Sequence, residues 1–151
     1  MYKFYRVSNF GLFAFLTVFC CLTGIVQSQT IDTLWHEDWE GNWVTDWHVD
    51  GGTWQVGVPT SGPNSAHNGQ KCAATVLSGN YSTTVDSRLI RHTSFVVPSA
   101  SQNPRLRFWH WYSFSSGDYG KVQIKVGNSG WQDIFSNYLN TGSGAWSWLL
   151  A

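Results

Sequence analysis

The sequence predicts an all-β protein, folded as an antiparallel β-sandwich or barrel. Apolar and polar residues alternate along several short segments, as expected when successive side chains of a strand point to opposite faces. Groups of Gly, Asn, Ser and Pro recur about every ten residues, which is typical of turns between short strands. No segment carries a convincing amphipathic helical repeat. These observations favour packed antiparallel strands over helices.

The N-terminal segment predicts a secretory signal peptide over residues 1–28. Lys3 and Arg6 precede an apolar run at residues 10–26, and Val26 and Ser28 are suited to signal peptidase cleavage. A membrane anchor is the alternative, since the run is about long enough to span a bilayer. We expect cleavage after Ser28, which gives a secreted or cell-surface product without membrane insertion.

Residues 29–151 have the size of one domain with a single core. The whole chain has nine basic and nine acidic residues, and Lys3 and Arg6 leave with the signal peptide. The domain is then slightly acidic. Its charge therefore provides no basic footprint for nucleic acid or for a membrane surface.

Cysteine usage leaves the domain without an internal disulfide. Cys20 and Cys21 leave with the signal peptide, so Cys72 remains alone. The domain must be held by packing, for which ten Trp residues provide an unusual apolar supply. Each fully buried Trp contributes about 4–6 kcal/mol as an upper bound. Cys72 itself is expected in the core, in a short apolar strand.

The first half of the domain predicts short strands, a tight turn and one long loop. Trp residues recur at every fourth position from Trp35 to Trp47, but the intervening Val and Thr residues favour strands over a helix. Asp50, Gly51 and Gly52 have the composition of a tight turn. Expected strands lie at residues 34–39, 43–48, 53–57 and 72–77, with one bent or two short strands at 86–97. The loop at residues 59–70 is rich in Gly, Pro, Ser and Asn and is a natural carrier of function.

Residues 105–126 predict a β-hairpin, the clearest element of the chain. The residues expected on its core-facing side are Leu106, Phe108, His110, Tyr112, Phe114, Val122, Ile124 and Val126. His110 is expected to be a hydrogen-bonded core residue. Further strands are expected at residues 131–138 and 145–150. Because the chain stops within the last of these, we expect the domain to lack its closing strands.

The order of these motifs resembles the bacterial MAM-like jelly-roll modules. This group includes the choice-of-anchor J modules and the module attached to immune-inhibitor-A-type secreted metallopeptidases. The matching features are His36 to Asp38, Trp54 to Pro59, residues 61–69, Gly79 to Tyr81, Phe108 to Tyr112, and residues 117–131. The resemblance implies a jelly roll over residues 29–151. It also implies an incomplete domain, since the family closes with a strand bearing paired aspartates that is absent here.

The resemblance further implies a structural Ca²⁺ near the opening acidic pair, Glu37 and Asp38. Calcium takes six to eight oxygen ligands, and carboxylates with loop carbonyls suit it. The alternative is that both residues are solvated acids on an edge strand. Asp118 is expected to shape a turn by bonding its own backbone, with a role as a further calcium ligand as the alternative.

Trp109 and Trp111 lie on the face of the predicted hairpin opposite its core-facing residues. Their spacing along the strand is about 6–7 Å. Two exposed rings at this spacing could stack on sugars. The alternative is that a second sheet or the Trp-rich N-terminal segment covers them.

No catalytic group stands out. The five His residues form no HExxH motif or close pair in the sequence, and no Ser lies in a G-x-S-x-G context. The sequence therefore favours a secreted, non-catalytic module for adhesion or for recognition of a glycan or cell-surface protein, within a larger exported protein. The first alternative is an accessory fragment of a secreted metallopeptidase or glycosidase whose active site lies outside this chain. The second is a structural spacer.

Overall fold

The computed structural model describes residues 2–8, 30–139 and 142–151, and in these it is all-β. The strands are β1 (Tyr2–Ser8), β2 (Thr30–Glu37), β3 (Trp47–Asp50), β4 (Gln55–Gly57), β5 (Cys72–Ala74), β6 (Arg88–Arg91), β7 (Arg105–His110), β8 (Tyr119–Ile124), β9 (Gln132–Leu139) and β10 (Ser147–Leu150). Every strand pair between them is antiparallel. The predicted fold class is thus confirmed. None of the described residues forms a helix long and apolar enough to cross a membrane.

The largest sheet has four strands in the order β10-β7-β1-β2, and three two-stranded sheets pair β3 with β6, β4 with β5, and β8 with β9. Strand β1 lies between β2 and β7, with Tyr2 opposite Glu37 on one side and Phe108 on the other. It falls within the residues assigned to a signal peptide. The apolar run at residues 10–26 lies outside the described residues, so the signal peptide stays a prediction.

The predicted hairpin over residues 105–126 is wrong in its pairing. Strand β7 pairs with β1 and β10, whereas β8 pairs with β9. The chain after β7 bonds elsewhere, because Tyr112 donates its backbone N–H to Ser143 Oγ at 3.2 Å and accepts from the Ser143 N–H at 2.9 Å. Alternation had identified both strands correctly, but it does not specify the partner of a strand.

The main core lies where β7, β9 and β10 meet. Phe108, Tyr138 and Leu149 are buried there. The partly buried side chains packed against them include Leu106, Tyr112, Phe114, Val122 and Phe135. This confirms most of the predicted core-facing side of residues 105–126. Val126 is the exception, since it follows the end of β8 and its side chain is 64% exposed.

Aromatic rings also pack around the start of the domain. The Trp47 ring centroid lies 5.8 Å from that of Trp35 and 5.2 Å from that of Trp39, which is 3% exposed. The Arg91 guanidinium lies 4.5 Å from the Trp35 ring centroid, within the range of a cation–π contact. Indole packing therefore stabilises a part of the chain that has no disulfide, as the composition predicts.

Several local expectations can be compared with the strands. Residues 43–45 form a 3-10 turn rather than the first half of a strand, and β6 covers only four of the residues expected at 86–97. Gly51 and Gly52 both adopt positive φ, at 63° and 67°, as the predicted tight turn requires. Cys72 is buried as predicted, and this burial raises the pKa of its thiol.

Candidate functional site

The outward side of strands β7 and β10 carries a paired set of indole rings. Trp109 is the direct partner of Trp148, and Phe108 is the direct partner of Leu149. Because Phe108 and Leu149 face the core, the alternation of each strand places Trp109 and Trp148 on the opposite side. The two indole centroids lie 4.9 Å apart, with their planes at 55°.

The loop at residues 59–70 folds over these rings. The His67 imidazole stacks on Trp109, with 3.9 Å between centroids and 14° between planes. Trp146 packs edge-on against His67 at 5.9 Å, and its Nε1 donates to the Ser65 carbonyl at 3.2 Å. We call His67, Trp109, Trp111, Trp146 and Trp148 the aromatic surface.

The loop also covers Trp111. A Cβ atom added to Gly62 would approach the Trp111 ring to 2.8 Å, and Gly62 has a positive φ of 68°. Glycine therefore permits this close approach of backbone to ring. Trp109 and Trp111 are both half-buried, while Trp148 is 37% exposed. The cover is neither a second sheet nor the N-terminal Trp-rich segment, but this loop.

Charge at the aromatic surface is supplied by Arg107. Its guanidinium lies 4.1 Å from the Trp148 ring centroid, which is close enough for a cation–π contact. Burial lowers the pKa of His67, so its imidazole is neutral near pH 7 and stacks as an uncharged ring. An exposed indole beside a guanidinium can stack on an apolar ring face and place hydrogen-bond donors at its rim.

Both ends of the covering loop are anchored. At its start, the Thr60 backbone N–H donates to the Leu77 carbonyl at 2.7 Å. At its end, Glu40 Oε1 accepts the backbone N–H groups of Gln70 and Lys71 at 2.7 and 2.9 Å. These two N–H groups lower the pKa of the Glu40 carboxyl. The loop is thus fixed over the sheet by hydrogen bonds as well as by ring stacking.

The residues predicted as calcium ligands make other contacts. Glu37 accepts the Trp39 backbone N–H at 2.9 Å and Trp47 Nε1 at 3.2 Å, one on each carboxylate oxygen. Asp38 accepts the Glu40 backbone N–H at 3.0 Å, which is local turn bonding. Asp118 accepts the Tyr81 hydroxyl at 2.6 Å.

These contacts do not fit a calcium site well, because both Glu37 oxygens face N–H donors rather than a space lined by other oxygens. Among the described residues, no three His, Cys, Asp or Glu side chains come together in a way that could hold a metal ion. The structural Ca²⁺ stays a prediction to which the arrangement adds no support. Asp118 instead links its turn to Tyr81.

Sequence reasoning missed part of the aromatic surface. It identified Trp109 and Trp111, but not His67, Trp146 or Trp148. The spacing of Trp146 and Trp148 by two residues was an available signal, because it places both on one face of a strand. His67 carried no such signal, since its position depends on how a long loop folds. His110 was predicted correctly: its Nδ1 lies 2.5 Å from the Tyr138 hydroxyl, and burial lowers its pKa.

The fold and the aromatic surface define a small antiparallel β domain with a candidate binding surface on one sheet. No family model and no solved structure matches the chain. The chain is similar to Bacillopeptidase F of Bacillus subtilis (strain 168), with 29% identity over 112 residues. The match covers 72% of this chain but 8% of that protein. This chain therefore corresponds to a small part of a much longer protein, and the MAM-like resemblance stays a resemblance.

Proposed function

We propose that this chain is a non-catalytic recognition domain of a larger exported protein. The similarity to a small part of Bacillopeptidase F supports a place within a longer chain. The predicted signal peptide supports export. A β domain that aligns with so small a share of a peptidase is suited to positioning or binding rather than to chemistry of its own.

The proposed ligand is a glycan, with a cell-surface protein as the other partner that this surface suits. The observation that carries the proposal is the exposed Trp148 ring beside Trp109, with the Arg107 guanidinium against it. Sugar rings present apolar faces that stack on indoles, and hydroxyl groups that accept from a guanidinium. The anchored loop restricts the rings before binding, which lowers the entropy cost of ordering them.

Binding of the full chain to a glycan array tests this proposal. We expect Trp148→Ala to weaken binding about thirtyfold, because loss of a central aromatic contact costs about 2 kcal/mol or more. The control is Trp131→Ala, which removes an indole that is 49% exposed and lies outside the aromatic surface. Far-UV circular dichroism checks that both variants fold.

The double change Trp109→Ala with Trp111→Ala tests the two originally predicted rings. It should abolish glycan binding, because it removes the partner of Trp148 and the ring beneath the loop. Binding that survives in a folded Trp148→Ala variant and in the double variant would refute the aromatic surface as the ligand site.

The second candidate function is an accessory part of a secreted hydrolase whose active site lies outside these residues. The similarity to a peptidase favours it. On this account, the chain by itself would show no hydrolysis of casein but would bind a protein substrate of the enzyme. A peptidase domain encoded in the same open reading frame would support this candidate. Hydrolysis by the isolated chain would contradict both candidates.

A further inference from the structure

Two histidines meet on the outer side of the β3–β6 pair. His48 lies opposite Ile90, and the His92 backbone N–H donates to the Asp46 carbonyl at 2.9 Å, one step beyond the end of β6. His48 and His92 are therefore diagonal neighbours on one face of an antiparallel ladder. Trp47 and Arg91, which occupy the other face, are half-buried, whereas both histidines are exposed.

The distance between the two imidazoles suits a shared cation. The Nδ1 atoms lie 3.4 Å apart, and the ring centroids 5.4 Å apart. This separation is long for a direct hydrogen bond between the rings. An ion at the usual Zn–N distance from both Nδ1 atoms would subtend an N–Zn–N angle of about 110°, close to the tetrahedral value that Zn²⁺ prefers.

We infer that His48 and His92 form a binding site for a divalent first-row transition-metal ion, with Zn²⁺ as the representative ion. Neutral imidazole nitrogens suit Zn²⁺, Cu²⁺ and Ni²⁺, whereas Ca²⁺ requires oxygen ligands. The site is distinct from the predicted calcium ligands and from the aromatic surface. Water would occupy the positions that protein does not, because both histidines face solvent.

The backbone preorganises this site. Strands β3 and β6 hold four residue pairs in register, and the Asp46–His92 hydrogen bond fixes the strand end that carries the second histidine. Metal binding then requires little more than rotation of two exposed side chains. A bound ion would also link two strands that form a sheet of their own, so it should stabilise this pair against separation.

Isothermal titration of the metal-free full chain with ZnCl₂ tests the inference. We expect one ion per chain, and at least a tenfold loss of affinity in His48→Ala and in His92→Ala, since even changes to outer-shell partners of a metal cost 10–100-fold. His36→Ala is the matched control, because it removes another exposed histidine, on β2, and should leave affinity unchanged. Cu²⁺ should bind more tightly than Zn²⁺, and CaCl₂ should not compete.

Two further measurements separate chelation from a structural effect of the substitutions. Zn²⁺ should raise the Tm of the unmodified chain but not that of His48→Ala, with both folded by circular dichroism. The electron paramagnetic resonance spectrum of the Cu²⁺ complex should show nitrogen ligands that are lost in His92→Ala. Failure of the unmodified chain to bind Zn²⁺, or equal affinity in the double variant, would overturn the inference. Neither result would bear on the glycan proposal.

Discussion

Replacing Phe108 by alanine should remove a large part of the stability of this domain. Phe108 is 5% exposed and lies in the core with Tyr138 and Leu149. A buried aromatic side chain removes about 150–250 Å² from water, which corresponds to about 4–6 kcal/mol at 25 cal/mol/Å² as an upper bound. Substitutions of buried Phe by Ala cost about 3–5 kcal/mol. We expect a loss in that range from a total that is about 5–15 kcal/mol for an ordinary domain.

Urea denaturation followed by tryptophan fluorescence measures this loss as a change in the free energy of unfolding. The matched control is Val126→Ala, because Val126 is 64% exposed and surface substitutions usually change stability by less than about 0.5 kcal/mol. Phe108→Leu keeps most of the apolar area and should lie between the two, which preserves a measurable transition if Phe108→Ala does not fold. Equal stabilities of Phe108→Ala and Val126→Ala would refute the assignment of the core.

Two other substitutions test local features. Gly52→Ala should lower the free energy of unfolding by more than about 1 kcal/mol, because φ is 67° and a new Cβ would overlap Ser87; Gly130→Ala, with open space around it, should be neutral in the same thermal denaturation experiment. Glu40→Gln should flatten the acid limb of the stability–pH profile. Hydrogen bonds to the folded-state carboxylate hold the Glu40 pKa below 4.5, so its contribution is present above pH 4.5 and is lost as pH falls through the folded-state pKa. An unchanged acid limb would contradict this role.

Strand positions could be predicted from this sequence better than strand partners. The alternation around Phe108 assigned the core-facing side of β7 correctly, because side-chain period depends only on local backbone geometry. It did not show that β7 pairs with β1 and β10 rather than with β8. Pairing depends on contacts between distant parts of the chain, such as the bonds between Tyr112 and Ser143, and the turn residues between two strands do not determine it.

The candidate site shows the same division. The shared face of Trp109 and Trp111 follows from alternation and was predicted correctly, as was the importance of the loop at residues 59–70. The stacking of His67 on Trp109 could not be predicted, because it requires the fold of that loop. The pairing of His48 with His92 was equally inaccessible, since 44 residues separate them and only the β3–β6 register brings them together.

Core and aromatic surface are coupled through the register of β7 and β10. Phe108 pairs with Leu149 on the inner face, and Trp109 pairs with Trp148 on the outer face. A shift of β10 by one residue would exchange the two faces of that strand, so that Trp148 would enter the core and Leu149 would face solvent. The packing of Leu149 against Phe108 therefore holds Trp148 at the surface. A Phe108 variant that folds but loosens this register should lose glycan binding without any change to the aromatic surface itself.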